Sequence, residues 1–157
     1  MDSDTKLYLE RAENELRLVE IIMKLSTDQD LQVKTFNLGK AETYFSSVIS
    51  HAYYSIFYTA KAYLILKGIR TKPPEEHKKT YVEFKKLVEQ RVIDKELLEL
   101  YEEVMVKAEK LLGIFKVERK KRGEFTYKRL AQANKEPASQ SLENAKTFFK
   151  NIYDLCA

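Results

Sequence analysis

The stretch KAETYFSSVISHAYYSIFYTAKAYLILK, from Lys40 to Lys67, decides the fold of this chain. Its apolar residues recur at intervals of three and four, which predicts an α-helix rather than a β-strand. Tyr53, Phe57 and Tyr58 widen the apolar face. A helix that is apolar around most of its circumference belongs at the centre of a helical bundle. The residues that form the main face are Phe45, Val48, Ile49, Ala52, Ile56, Ala60, Tyr63 and Leu64.

Helical spacing also precedes and follows this central segment. Leu9 to Met23 carries one apolar stripe and predicts a first helix, whereas 26–39 lacks a period and is expected to be a loop with at most one helical turn. Gly68 is placed to cap the central helix. The Pro73–Pro74 pair excludes a helix interior, and a shorter helix is predicted from about Glu75 to Arg91.

The C-terminal half predicts two more helices. Asp94 can cap a helix whose three-four rhythm continues to about Lys121, and Gly123 marks its end. The polar stretch 124–136 is irregular, and the last helix is expected to begin near Pro137, a good first-turn residue. Because short links place neighbouring helices antiparallel, the chain is predicted to be all-α: an up-and-down four-helix bundle with one additional short helix.

Composition sets the class of protein. A length of 157 residues fits one domain, 1–157, and 44% hydrophobic with 33% charged residues is typical of a globular chain. The lone cysteine, Cys156, excludes an intramolecular disulfide and a thiolate metal cluster. No apolar run approaches the ~20 residues that span a bilayer, and the charged N-terminus lacks a signal core. A soluble, cytoplasmic protein without membrane contact is therefore expected.

The most basic stretch is KVERKKRGEFTYKR, from Lys116 to Arg129. It holds seven basic and two acidic residues, a net charge of +5 against +4 for the whole chain. Cations bind phosphates, and the interleaved Phe125 and Tyr127 can stack on bases. Alternatively, the stretch is a solvated face whose cations complement a helix dipole. The cations are Lys116, Arg119, Lys120, Lys121, Arg122, Lys128 and Arg129.

Spacing within this stretch singles out Arg122. Glu118 precedes it by four residues, so both side chains would share one helical face and pair. The planar guanidinium fork suits phosphate oxygens. Tyr127 follows the Gly123 break and could fold back towards Arg122. Arg119, Lys121, Arg122, Phe125 and Tyr127 are the candidate phosphate- and base-binding residues.

Three residues outside the basic stretch are further candidates for ligand binding. His51 and Tyr54 fall off the main apolar face of the central helix and are expected to line a groove, unless they only pack. His77 is either a ligand-binding residue or a surface histidine near a helix start. The sequence has no Gly-rich phosphate loop, no Glu-x-x-His pair and no metal-ligand spacing between its histidines. No metal or cofactor is expected.

These residues resemble those of HEPN domains. The segment YFSSVISHAYYSIFYTAKAYLILKGI, Tyr44 to Ile69, is similar to the signature helix of the family, and YLERAENELRLVE, Tyr8 to Glu20, is similar to its first helix. His77 falls where members often have a histidine after the Gly-Ile turn. The resemblance extends from about Thr5 to Ile152.

The resemblance implies a helical bundle that forms a homodimer and an Arg-x4–6-His motif for metal-independent RNA cleavage. Glu118-x3-Arg122 matches the first part of that motif, but Tyr127 stands at the histidine position and no histidine follows Arg122. Tyrosine titrates near ~10 and is a poor general base at neutral pH. Small members of this kind resemble partners of separately encoded minimal nucleotidyltransferases.

Three functions follow as hypotheses. The first is a nucleotide- or RNA-binding protein that partners a minimal nucleotidyltransferase in a toxin–antitoxin-like system. The second is a metal-independent ribonuclease in which Arg122 and Glu118 act with Tyr127, His51 or His77 in the proton-transfer role. The third is a structural dimer without a ligand. The missing motif histidine favours the first hypothesis over the second.

Overall fold

A computed structural model of the chain describes residues 1–38, 42–115 and 134–157, and this part of the chain is helical without strands. It confirms the predicted all-α class. The helices are α1 (Ser3–Thr27), α2 (Phe45–Leu66), α3 (Glu76–Glu89), α4 (Lys95–Leu112) and α5 (Lys135–Cys156), with a π-helical turn at Leu31–Thr35.

Four long helices, α1, α2, α4 and α5, form a bundle with α2 at its centre. Ser26 near the end of α1 contacts Tyr44 at the start of α2, and Asp4 contacts Arg70 beyond the end of α2, so α1 and α2 are antiparallel. On its other sides α2 contacts α5 and α4, and the shorter α3 bridges α2 and α4. The predicted four-helix bundle with one additional short helix is confirmed.

Burial of α2 confirms its central position. Aromatic rings from three other helices meet beside it, since Phe84 of α3, Tyr101 of α4 and Phe148 of α5 lie within 5.7 Å of one another by ring centroids. All three side chains are inaccessible to solvent. Eight residues of α2 are equally inaccessible: Val48, Ala52, Tyr53, Ser55, Ile56, Thr59, Ala60 and Ala62.

The central segment is helical from Phe45. Side chains of the π-helical turn and of the α1 end hold the backbone that precedes it. The Gln32 amide donates to the carbonyls of Leu25 (2.6 Å) and Glu42 (2.8 Å) and accepts from the Glu42 N–H (3.1 Å). The Ser26 hydroxyl oxygen accepts the Tyr44 N–H at 2.8 Å.

The predicted end of the fourth helix at Lys121 is wrong. α4 ends at Leu112, where Gly113 adopts a left-handed φ of 61° and its N–H donates to the carbonyl of Glu109. Glycine takes this conformation without steric cost and therefore ends helices. Gly68, with a φ of 78°, ends α2 in the same way and confirms that prediction.

Two smaller differences concern helix starts. Asp94 precedes α4 but makes no side-chain capping bond, and α5 begins at Lys135, within the stretch expected to be irregular. Pro137 still lies in the first turn of α5. None of the helices in the described ranges is long and apolar enough to cross a membrane.

Candidate nucleic-acid interface

The predicted site divides into two parts. Glu118, Arg119, Lys121, Arg122, Phe125 and Tyr127 lie in 116–133, outside the described residues, so their pairing and contacts are not part of the structure. His51, Tyr54 and His77 are described, and they come together on one surface.

This surface is the side of α2 that lies between α1 and α3. The rings of His51 and Tyr54 meet edge to face with centroids 5.7 Å apart, and the Tyr54 and His77 centroids are 6.3 Å apart. All three side chains are half-buried. Residues 51 and 54 share a face of α2 because they are three apart, whereas His77 belongs to α3. That His51 and Tyr54 line a groove stays a prediction.

His51 is held by α1. Its Nδ1 lies 2.6 Å from a carboxylate oxygen of Glu15, and both side chains are partly exposed. A carboxylate only accepts, so Nδ1 carries the proton of this bond. The bond fixes the ring orientation and leaves Nε2 as the second polar atom of His51. Glu15 was missed from the sequence because the register of α1 against α2 is not encoded locally.

His77 is half-buried, unlike the surface histidine that was the alternative interpretation of this residue. Its ring stacks on Phe57 with centroids 4.0 Å apart, and Nδ1 lies 3.0 Å from the Tyr53 hydroxyl. The bond suits either tautomer, since the hydroxyl can donate to a bare Nδ1 or accept from a protonated one. Burial lowers the pKa of His77 below its usual 6.5, while Glu76 opposes this shift. The ring is therefore neutral at pH 7.

Two further tyrosines extend the surface along α2 and α1. Tyr58 lies four residues after Tyr54, and its ring centroid is 6.0 Å from that of Tyr8. The Arg11 guanidinium lies 5.2 Å from the Tyr8 centroid and 5.9 Å from the Tyr58 centroid, within cation–π range. The three-four spacing of residues 51, 54 and 58 in the sequence indicated that Tyr58 shares their face of α2. The contributions of Tyr8 and Arg11 required the packing of α1.

We call His51, Tyr54, Tyr58, His77, Tyr8 and Arg11 the aromatic strip. Burial raises the pKa of the Tyr54 and Tyr58 hydroxyls above their usual value of 10, so both keep their protons at neutral pH. The strip thus presents rings, hydroxyl donors and a guanidinium, with the Glu15 carboxylate beside His51 and the Glu76 carboxylate near His77 and Tyr58. Such a surface suits planar, hydrogen-bonding ligands.

The basic stretch follows directly after residues that pack on the same helix as His77. The Phe115 N–H donates to a carboxylate oxygen of Glu109 at 3.0 Å, and the Phe115 ring meets Tyr81 edge to face at 6.4 Å. Tyr81 lies one turn after His77 on α3. Phe115, the last described residue before the basic stretch in the sequence, therefore packs against α3.

No group of three or more His, Cys, Asp or Glu side chains in the described ranges is arranged to hold a metal ion. The chain matches no protein-family model, no curated protein and no solved structure.

Proposed function

We propose that the protein binds nucleotide or single-stranded RNA on the aromatic strip, with the basic stretch supplying phosphate contacts. One observation carries the proposal: the rings of His51, Tyr54 and His77, which come from two helices, form one partly exposed surface. Rings and cations together are what proteins use for single strands.

Each part of the strip has a role in this proposal. The faces of Tyr54 and Tyr58 stack on bases, which is worth about 1–3 kcal/mol per base. Their protonated hydroxyls donate to base or ribose oxygens. Arg11 and the cations of 116–129, Arg122 foremost, neutralise phosphates. Residues 51–58 span about 10 Å of helix at ~1.5 Å per residue, so the strip accommodates a short segment of RNA.

The wider assignment rests on the resemblance to HEPN domains. In this proposal the protein is a cytoplasmic homodimer and the partner of a separately encoded minimal nucleotidyltransferase in a toxin–antitoxin-like system. Arg122 binds the phosphate. Tyr127, at the position of the motif histidine, stacks on a base or donates a hydrogen bond to the ligand.

Metal-independent RNA cleavage is the second candidate, and His77 favours it. RNA cleavage by 2′-hydroxyl attack needs a neutral base, and burial keeps His77 neutral at pH 7. In the tautomer that donates Nδ1–H to Tyr53, Nε2 is free to accept the proton. Arg122 would stabilise the charge that develops on phosphorus, as preorganised cations do.

The binding proposal is tested by fluorescence anisotropy with a labelled single-stranded RNA. Tyr54→Ala should weaken binding about fivefold to a hundredfold, the loss of one stacked base. Tyr153→Ala is the matched control, because this partly exposed tyrosine lies near the end of α5, away from the strip. Equal affinities of the wild type and Tyr54→Ala would refute a role for the strip.

The same samples separate the two candidates. Incubation of RNA with purified protein and a chelator measures metal-independent cleavage. Cleavage that disappears in both Arg122→Ala and His77→Gln would favour the ribonuclease. Intact RNA, with binding weakened by Arg122→Ala, would favour the binding protein.

A further inference from the structure

A cavity of about 220 Å³ lies beside the C-terminal half of α2, at the opposite end of the aromatic strip from His51. The loop 67–75 between α2 and α3 forms one of its walls. Ligand pockets for whole small molecules usually measure about 300–1,000 Å³, so this cavity suits a compact group. Its lining includes Tyr8, Lys61, Arg70, Thr71, Lys72 and Glu76.

The cavity has a surplus of positive charge. Three of its lining side chains are cations and one, Glu76, is a carboxylate. Glu76 already forms an ion pair with Lys61, whose side chain is only 6% exposed. Arg70 and Lys72 therefore supply the positive charge that faces the cavity.

Two buried contacts and one exposed contact hold the wall that carries these two cations. The Lys61 ammonium donates to the carbonyl of Thr71 at 3.0 Å, and the Thr71 and Thr80 hydroxyls lie 2.7 Å apart. The Lys79 ammonium donates to the carbonyl of Lys72 at 3.2 Å. A wall fixed before binding loses little conformational freedom when a ligand arrives.

Arg70 remains available to an anion. Its guanidinium pairs with Asp4 at 2.9 Å, but both side chains are about half exposed, 54% and 48%. Exposed pairs of this kind contribute little to stability. A phosphate offers the guanidinium a bidentate fit that the single Asp4 contact does not use.

We propose that this cavity binds the terminal phosphate of the nucleotide or RNA strand whose bases lie on the aromatic strip. The inference rests on the proposed function and specifies which part of the ligand enters the cavity. A terminal phosphate monoester carries about −1.5 to −2 charges at pH 7, whereas an internal diester carries one. The surplus of Arg70 and Lys72 thus favours the terminus.

The cavity continues the strip without a break. Tyr8 lines the cavity and also contacts Tyr58 of the strip. The Lys61 ammonium lies 5.0 Å from the Tyr8 ring centroid. Residues 51, 54, 58 and 61 follow one another at three-four spacing on α2, so a strand along this face ends at the cavity.

The test compares one short RNA in three forms: with a 5′-phosphate, with a 3′-phosphate and with hydroxyls at both ends. The wild type should bind one phosphorylated form roughly tenfold more tightly than the hydroxyl form, which corresponds to one charge-assisted contact. The preferred form identifies which end enters the cavity. The double variant R70Q/K72Q should lose this preference and keep the affinity for the hydroxyl form.

The control removes two charges elsewhere. K85Q/K150Q changes exposed lysines of α3 and α5 and should retain the preference for the phosphorylated form. Equal binding of all three RNAs by the wild type would overturn the cavity assignment and leave RNA binding intact. The same would follow if both double variants lowered the preference equally, since that would indicate general electrostatics.

A second measurement does not depend on RNA. Inorganic phosphate titrated into isotope-labelled protein should shift the backbone amide signals of 70–72 in the wild type, and should no longer do so in R70Q/K72Q. Absence of RNA binding in every form would refute the proposed function. Absence of phosphate-induced shifts at 70–72 would overturn the cavity assignment separately.

Discussion

At the scale of single residues, His77 illustrates how packing changes the chemistry of a side chain. Its position shortly after the Gly-Ile turn was readable from the sequence. Its stacking on Phe57 and its bond to Tyr53 were not, because they depend on how α3 lies against α2. The lowered pKa follows from that packing and has a consequence for stability.

Protonation of His77 should destabilise the fold. The unfolded chain binds this proton with a pKa near 6.5, and the folded chain binds it at a lower pH. The unfolded state therefore holds more protons in this window, so stability falls as the pH drops below about 6.5. Urea unfolding at pH 7.5 and 5.5 should show a larger loss for the wild type than for His77→Phe.

His77→Phe keeps a ring against Phe57 and removes the titrating group. The comparison therefore isolates protonation from the loss of stacking. An identical pH dependence of the two proteins would show that burial does not disfavour the charged form of His77.

At the scale of helices, the sequence predicted which helices form better than where they begin and end. Apolar periodicity was sufficient to predict the five α-helices of the described ranges, because each long helix needs a continuous stripe to bury. The end of α4 was misplaced because Gly113 and Gly123 both suit a helix end, and periodicity alone does not choose between them. Periodicity did not give the start of α2 at Phe45, because long-range hydrogen bonds of Gln32 hold the backbone of Glu42 before the helix.

Gln32 should be a major contributor to the junction of α1 and α2. Its side chain is 2% exposed and makes three hydrogen bonds to backbone groups of Leu25 and Glu42. Gln32→Ala leaves these groups without their partner, which costs about 1–3 kcal/mol for each buried group left unsatisfied. Urea denaturation should show a loss of unfolding free energy of at least about 1 kcal/mol.

The neighbouring Gln29 provides the control for this prediction. Its side chain is exposed, so Gln29→Ala should change the unfolding free energy by less than about 0.5 kcal/mol. If the two variants were equally stable, the hydrogen bonds of Gln32 would not hold the junction.

Ser55 makes the corresponding contact in the middle of the α1–α2 pair. Its buried hydroxyl donates to the carbonyl of Ala12 at 2.9 Å, a bond between helices. Ser55→Ala should lower the unfolding free energy by about 1 kcal/mol in thermal or urea denaturation. A variant as stable as the wild type would show that the carbonyl of Ala12 needs no partner beyond its own helix.

At the scale of the whole molecule, the fold brings rings from three helices together on one surface. The charge of the sequence identified the basic stretch. The positions of His51, Tyr54 and His77 identified these three residues as candidates. The sequence could not show that the three residues form a surface with Tyr8, Tyr58 and Arg11, because three helices contribute to that surface. Pairing between Glu118 and Arg122 remains a prediction.

Salt dependence tests the part played by the cations. Each phosphate contact with a single strand contributes a slope of about −0.7 to the dependence of log affinity on log salt concentration. Arg122→Ala should reduce the slope for RNA binding by about 0.7, whereas Tyr54→Ala should weaken binding and leave the slope unchanged. An unchanged slope in Arg122→Ala would remove this residue from the phosphate contacts.

The most direct test of the proposed interface is photocrosslinking of a single-stranded RNA that contains 4-thiouridine, with the crosslinked residues identified by mass spectrometry. Crosslinks should concentrate on Tyr54, Tyr58 and His77 and on the basic stretch 116–129, and Tyr54→Ala should reduce those on α2. Crosslinks confined to other surfaces, such as the outer faces of α4 and α5, would contradict an RNA interface on the aromatic strip.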